Sequence, residues 1–161
     1  MKRRMAADQS FLERLLDDVL VPTGFRRRKL HWYRSNDDTI QIVNLQKSDW
    51  GGQYYINLGI FFRTLSPATA PKEYQAHARV RLDALRGIDE SRIEAVLNLE
   101  NVEMSQVERR SVIVAAFNDG VIPFLNARST LPQLRSLYKT NQLNIPYLTL
   151  TGRETLEGSG V

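Results

Sequence analysis

The sequence contains no cysteine and only two histidines. The absence of cysteine excludes disulfide bonds, thiolate metal sites and cysteine nucleophiles, and it is typical of proteins that work in a reducing cytosol. Two histidines are too few for a histidine-rich metal site. We therefore expect a cytoplasmic protein with no metal centre and no cofactor.

The sequence also lacks long apolar runs and the short motifs of common catalytic sites. No run approaches the roughly 20 apolar residues that a membrane helix needs, so we expect no membrane insertion. There is no glycine-rich phosphate loop, no histidine pair on one helix face and no serine in a nucleophile elbow. The sequence favours a protein that is not an enzyme, and an unrecognised carboxylate site or a site at His31 is left open as the alternative.

Positive charge is concentrated in the first part of the chain. The 161 residues carry a formal net charge of +4, and much of the excess comes from residues 2–4 and 26–29. A basic run attracts phosphates through counterion release, but lysine and arginine also protect strand edges from unwanted pairing.

The length suits one domain over residues 1–161, for which we predict flexible ends at about 1–7 and 152–161.

Three strand-like segments separated by two turn signals organise the chain. They cover residues 29–34, 39–48 and 53–62 and are rich in β-branched and aromatic residues. A two-residue hairpin turn at Gly51-Gly52 would place Gln46 opposite Asn57. The same counting places Asn44 opposite Gly59 and Ile42 opposite Phe61. A two-residue turn at Asn36-Asp37, or a four-residue loop over residues 35–38, would place Trp32 opposite Gln41 and His31 opposite Ile42.

This alternation predicts two different sheet faces. One face is a core of aliphatic residues: Val43, Leu45, Ile56, Leu58 and Ile60. The other mixes polar and aromatic residues, and its candidate ligand-binding set is His31, Tyr33, Asn44, Gln46, Tyr55 and Asn57. Gly59 on that face predicts close approach by another backbone or a ligand. The alternative is that the three amides bond to each other and to loops beneath a covering helix.

A helix precedes these strands and a fourth strand is predicted after them. Ser10 and Glu13 have capping-box spacing, and an apolar stripe from Phe11 to Leu20 predicts an amphipathic helix. Alternation over residues 76–85 favours a strand, although its composition also suits a helix. If this strand lies beside the third, Arg79 and Arg81 would form an anion-binding corner near Tyr55; a solvated edge is the alternative.

The last part of the chain predicts helices. A short helix or an irregular segment is expected between Asp89 and Glu100. A longer helix should begin at Ser105 and end near residues 118–120. Thr130 is the expected cap of a last helix. The fold class is therefore α+β, an antiparallel sheet of three to four strands after an N-terminal helix, with C-terminal helices packed on the sheet.

Several of these segments resemble an uncharacterised, mainly bacterial family, domain-of-unknown-function family 4304. The resemblance lies in Gly24-Phe25 followed by basic residues, in Trp32-Tyr33, and in segments 43–48 and 55–59. It extends weakly through residues 80–82 and 123–125, while segment 97–99 lacks the tryptophans expected there. The resemblance implies a stand-alone bacterial domain and brings no activity, cofactor or catalytic residue.

The leading functional prediction is a non-catalytic binding or protein-interaction domain that uses the polar and aromatic sheet face, with Trp50 as an exposed anchor. Its partner would be another protein or a small ligand. The second prediction is a nucleic-acid-binding domain, in which Trp32, Tyr33 or Tyr55 stacks on bases. Its phosphate contacts would come from the basic run: Arg26, Arg27, Arg28 and Lys29. An immunity-type partner protein is the third prediction.

Overall fold

Alternating apolar residues build one antiparallel sheet whose six strands lie side by side in chain order. A computed structural model of the protein describes residues 8–158. The strands are β1 (Arg26–Arg28), β2 (His31–Ser35), β3 (Thr39–Lys47), β4 (Tyr54–Phe62), β5 (Ala78–Arg81) and β6 (Tyr147–Leu148). The predicted three to four strands understate the sheet, because the basic run forms an edge strand and a segment far along the chain forms the opposite edge.

Six α-helices within residues 8–158 cover one face of this sheet. They are α1 (Gln9–Leu20), α2 (Glu90–Val96), α3 (Gln106–Ala116), α4 (Ile122–Asn126), α5 (Leu131–Lys139) and α6 (Leu150–Glu157). The first four pack on the aliphatic centre of the sheet, and α5 and α6 pack on Ile60, Phe62 and Ala78. This confirms the α+β fold class and the aliphatic core face. Each helix in the described part is too short or too polar to cross a bilayer.

Both hairpins differ from the predicted register by two residues. Asn44 pairs with Asn57, Gln46 with Tyr55 and Ile42 with Gly59. The loop has four residues, 49–52, since the Ser48 N–H donates to the Gln53 carbonyl at 2.8 Å. Segment 97–99 bonds to this wider hairpin end: the Tyr54 amide donates to the Leu97 carbonyl and the Leu99 amide to the Gly52 carbonyl, both at 2.9 Å.

The first hairpin turns at Asp37-Asp38, so Trp32 pairs with Val43 and His31 pairs with Asn44. Asn36 accepts from the Asp38 and Thr39 amides at 2.8 and 2.9 Å, which holds the turn in place. An even shift keeps every side chain on its predicted face, because side chains alternate with a period of two. The predicted faces are therefore right and the predicted partners wrong.

Helix starts were predicted better than element ends. Asp8, not Ser10, caps α1 by accepting from the Phe11 amide at 3.0 Å. Ser105 and Thr130 cap α3 and α5 as predicted. However, the helix after Ser105 does not stop at residues 118–120, since a wide π-helical turn, Phe117–Val121, leads directly into α4.

Two further predicted boundaries are corrected. The fourth predicted strand, residues 76–85, contributes only Ala78–Arg81 and continues as a 3-10 turn over Leu82–Ala84. Residues 150–157 form α6, whose Leu156 is fully buried, so they replace most of the predicted flexible end. The predicted flexible residues 1–7 and 159–161 lie outside the described residues.

The second sheet face is partly covered by the connection between β4 and β5 rather than by a helix. A 3-10 turn, Glu73–Gln75, and Ala76 lie over the middle of the sheet, where Ile40, Ile42 and Phe61 form a small buried cluster with Ala76. A Cβ atom at Gly59 would lie 2.9 Å from the Ala76 Cβ. Gly59 therefore permits close approach by another chain segment, as predicted.

Candidate functional site

Strand pairing aligns the second-face residues in two rows that cross the sheet. The central row crosses five strands with directly opposed residues: Arg28, His31, Asn44, Asn57 and Arg81. The second row crosses all six: Arg26, Tyr33, Ile42, Gly59, Arg79 and Tyr147. Gln46 and Tyr55 form a further pair beside the central row. We call the polar and aromatic members of these rows, together with Gln46 and Tyr55, the arginine–tyrosine face.

Hydrogen bonds between amides organise the middle of the central row. Asn57 Nδ2 donates to Asn44 Oδ1 at 3.0 Å and to Gln46 Oε1 at 2.9 Å. Asn44 Nδ2 donates to the Leu30 carbonyl at 3.1 Å. Asn44 and Asn57 are buried, whereas Gln46 is exposed. The predicted mutual satisfaction of the amides is therefore present, but none of the six α-helices described above covers them.

Arginine and tyrosine side chains stack on this face. The Arg81 guanidinium carbon lies 3.9 Å from the centre of the Tyr55 ring, and that of Arg79 lies 3.9 Å from the Tyr147 ring. Such contacts hold the guanidinium groups flat against the rings. The structure thus brings the predicted Arg79 and Arg81 next to the predicted amide and tyrosine set.

The positive charge of the face is not neutralised within residues 8–158. Arg26, Arg28, Arg79 and Arg81 form no ion pair with a described acidic residue. Glu73 lies near the last two, but burial raises the pKa of its carboxyl group while Arg79 and Arg81 partly oppose that rise. An anion approaching this face would therefore meet a local excess of positive charge.

The covering turn also limits what His31 can do. The Glu73 amide donates a long hydrogen bond of 3.5 Å to His31 Nε2, and the His31 ring stacks on Tyr33. Burial, and next the positive charge of Lys72, lower the pKa of His31. The lowered pKa favours the neutral imidazole that this hydrogen bond requires, and His31 lies where the covering turn meets the open surface.

Two residues of the nucleic-acid prediction point away from this face. Trp32 is fully buried against α1 and donates to Asp17 Oδ1 at 2.8 Å. Arg27 forms ion pairs with Glu13 and Asp17 of α1. The Trp32 ring has no accessible surface, so the predicted stacking on Trp32 is wrong. Lys29 lies exposed in the turn between β1 and β2.

The predicted anchor Trp50 lies in the four-residue loop at the tip of the β3–β4 hairpin. Its side chain is 85% exposed, so the ring does not fold back on the core. The loop packs on segment 97–101, where Glu100 lies against Gly51 and Gly52.

Sequence reasoning missed Tyr147, which belongs to the arginine–tyrosine face, and Glu73, which lies in the turn that covers part of the sheet. No local sequence signal brings either residue to the sheet. Tyr147 lies in β6, which joins the sheet through the pairing of Arg79 with Tyr147.

One group of carboxylates lies apart from the face. Asp83, Glu90 and Glu94 place ligand oxygens within 4.8 Å of one another, and two of the three residues are exposed. Exposed acidic groups often cluster in this way without an ion, so we assign them no metal.

Two grooves also lie apart from the face. One of about 890 Å³ lies beside Arg86 and Lys139, and one of about 440 Å³ lies between α2 and α3. Neither groove is lined by a predicted site residue.

Lowering the pH from about 7 to about 5 is expected to reduce the free energy of unfolding. Burial lowers the pKa of His77 below its usual 6.5, and His77 Nδ1 accepts from the buried Phe62 amide at 2.8 Å. The unfolded chain therefore binds more protons below pH 6.5, and the stability present above that pH is lost as the pH falls. Urea unfolding at a series of pH values measures this effect.

The variant His77→Asn isolates the contribution of His77. Asparagine keeps an acceptor oxygen for the Phe62 amide but does not titrate, while the ring contacts with Phe61 and Phe62 are lost. The variant should be less stable at pH 7, and its stability should depend less on pH between 5 and 6.5. An unchanged pH dependence would contradict the assignment.

Comparison with known proteins gives one finding. A family model described as a domain of unknown function (DUF4304) matches residues 16–127. It extends from α1 through α4 and includes every residue of the arginine–tyrosine face except Tyr147. The match confirms the family resemblance predicted from the sequence. No curated protein and no solved structure matches the chain.

Proposed function

This chain belongs to the DUF4304 family, a family of domains of unknown function, and from its surface chemistry we propose that it is a non-catalytic binding domain of the bacterial cytosol whose ligand is anionic. The observation that carries the proposal is the central row, whose two end arginines form no ion pair with any acidic residue in the described range 8–158. The ligand would lie across the uncovered part of the arginine–tyrosine face.

The geometry of the central row favours binding over catalysis. Its middle consists of amides that bond to one another, and its one imidazole accepts from a backbone amide. These groups offer hydrogen bonds and charge, whereas an enzyme needs a base, nucleophile or metal aimed at a reacting atom. Amides between two arginines suit recognition of an extended ligand.

Heparin affinity of a double variant tests the proposal. Each charge-assisted hydrogen bond contributes about 1.5–3 kcal/mol, so Arg28→Gln with Arg81→Gln should weaken binding by at least about tenfold at low salt. The matched control is Arg92→Gln with Arg110→Gln, which removes the same charge from exposed positions on α2 and α3. Equal heparin affinity of the two double variants would show that only net charge matters and would overturn the proposal.

Protein interaction at Trp50 is a second candidate, favoured by the 85% exposure of its side chain. Tryptophan is enriched among residues that dominate binding energy at interfaces. If the tip of the hairpin binds a protein, Trp50→Ser should abolish a complex that the heparin-defective double variant retains, as measured by size-exclusion chromatography with the purified partner. The immunity-type function and an unrecognised catalytic site stay predictions.

A further inference from the structure

The length of the central row favours an extended ligand over a single small anion for contact with the arginines at both of its ends. Neighbouring strands lie about 4.8 Å apart, so the four spacings between Arg28 and Arg81 amount to about 19 Å. Two arginines whose backbones are that far apart are poorly placed to bind the same phosphate group. A ligand that uses both must be extended and must carry negative charge at more than one point.

Flat stacking surfaces distinguish this face from a simple basic patch. Tyr55 with Arg81, and Tyr147 with Arg79, form two guanidinium and ring stacks near one edge of the sheet. Unpaired bases stack on aromatic rings and on guanidinium planes in proteins that bind single strands. The carboxylates of an acidic peptide would pair with the arginines but would gain nothing from the rings.

An exposed amide lies where the edge of a stacked base could meet it. Gln46 is directly opposite Tyr55, and its Oε1 already accepts from Asn57. Its Nε2 makes no hydrogen bond to another residue in the part of the chain that the structure describes. A free amide donor beside a stacking ring is suited to the acceptor atoms of an unpaired base.

We propose that the arginine–tyrosine face binds single-stranded nucleic acid. Phosphates lie at Arg28 and Arg81, and at least one base stacks beside Tyr55 within reach of Gln46. This inference rests on the proposed function, because it names the ligand class of the same face. A duplex keeps its base faces stacked internally and would use the arginines alone.

The test is a fluorescence anisotropy titration with four probes at several salt concentrations. The probes are a labelled RNA 12-mer, the DNA 12-mer of the same sequence, the corresponding DNA duplex and a labelled polyglutamate peptide. The proteins are wild type, Arg81→Gln, Tyr55→Leu and the control Arg110→Gln, each first shown to be folded by circular dichroism. The RNA and DNA arms distinguish the two sources of a single strand.

Wild type should bind at least one single strand more tightly than the duplex and the peptide. Tyr55→Leu should weaken single-strand binding by about tenfold, as expected for loss of one stacked base, without changing the salt dependence. Arg81→Gln should weaken binding and reduce the slope of log K against log salt by about 0.7. Arg110→Gln should resemble wild type.

The other outcomes separate the two proposals. If all four probes bind alike, with loss in Arg81→Gln and no loss in Tyr55→Leu, single-strand recognition is overturned while the anionic-ligand proposal stands. If polyglutamate alone binds, the ligand is an acidic protein segment and the nucleic-acid inference is overturned. If no probe binds at low salt and heparin affinity does not depend on Arg28 and Arg81, both proposals are overturned.

Discussion

Arg109→Ala is expected to lower the free energy of unfolding by about 3–5 kcal/mol, because buried polar groups left without partners cost about 1–3 kcal/mol each. The Arg109 side chain is completely buried. It donates to the carbonyl groups of Val96, Asn98 and Asn101, with 3.1 Å to the Asn98 oxygen. These bonds connect the end of α2 and the following loop to α3. Alanine at position 109 would leave three carbonyl groups without their hydrogen-bond donor and would create a cavity.

Chemical unfolding in urea measures this loss, and the neighbouring residue supplies the control. Arg110 is exposed and forms a surface ion pair with Asp18 at 2.9 Å, so Arg110→Ala should change stability by no more than about 1 kcal/mol. The loss of stability in Arg109→Lys should lie between those of the two alanine variants, since one ammonium group cannot reproduce the planar guanidinium fork. Equal effects of the two alanine variants would contradict the buried role of Arg109.

Gly59→Ala is expected to destabilise the protein by about 1–3 kcal/mol, the usual cost of overpacking. Gly59 lies in β4 beneath the covering segment, and an added Cβ would meet the Ala76 Cβ at 2.9 Å. Neither atom belongs to a flexible side chain, so the segment around residues 73–76 must lift. We therefore also expect faster tryptic cleavage after Lys72, which adjoins that segment.

A double-mutant cycle with Ala76→Gly identifies the contact. Removing the Ala76 methyl group opens the space that the new Cβ needs, so the double variant should be more stable than the sum of the single effects by about 0.5–3 kcal/mol. Unfolding in urea gives all four stabilities. Additivity to within about 0.5 kcal/mol would mean that Gly59 and Ala76 are not in contact.

Neither of these effects is visible in the sequence. Arg109 lies in a stretch, Glu108-Arg109-Arg110, that has the composition of a solvated helix surface. Only the position of the loop after α2 determines that one of these charges is buried and the other exposed. Gly59 did carry a local signal, since a glycine within a strand predicts close approach, but the sequence did not identify what approaches.

The candidate site was predicted in part for a related reason. Which face a strand residue occupies depends on the parity of its position, and parity survives an even shift in register. His31, Tyr33, Asn44, Gln46, Tyr55 and Asn57 therefore share a face even though both hairpins were paired two residues away from the predicted register. The shift itself decided that Asn44, rather than the predicted Gln46, lies opposite Asn57.

The sequence alone determined the α+β class, the aliphatic and polar faces of the central strands and the caps at Ser105 and Thr130, because periodicity and capping depend on residues close together in the chain. Tertiary structure decided the register of the hairpins and the addition of β1 and β6 at the edges of the sheet. It also decided that the segment around Glu73 covers only part of the second sheet face. Those features depend on where distant segments find hydrogen-bond partners. Such partners are segment 97–99 at the hairpin end, Glu73 over His31 and Tyr147 beside Arg79. Each lies tens of residues away in the sequence from the residue that it contacts, so no local sequence pattern could predict the contact.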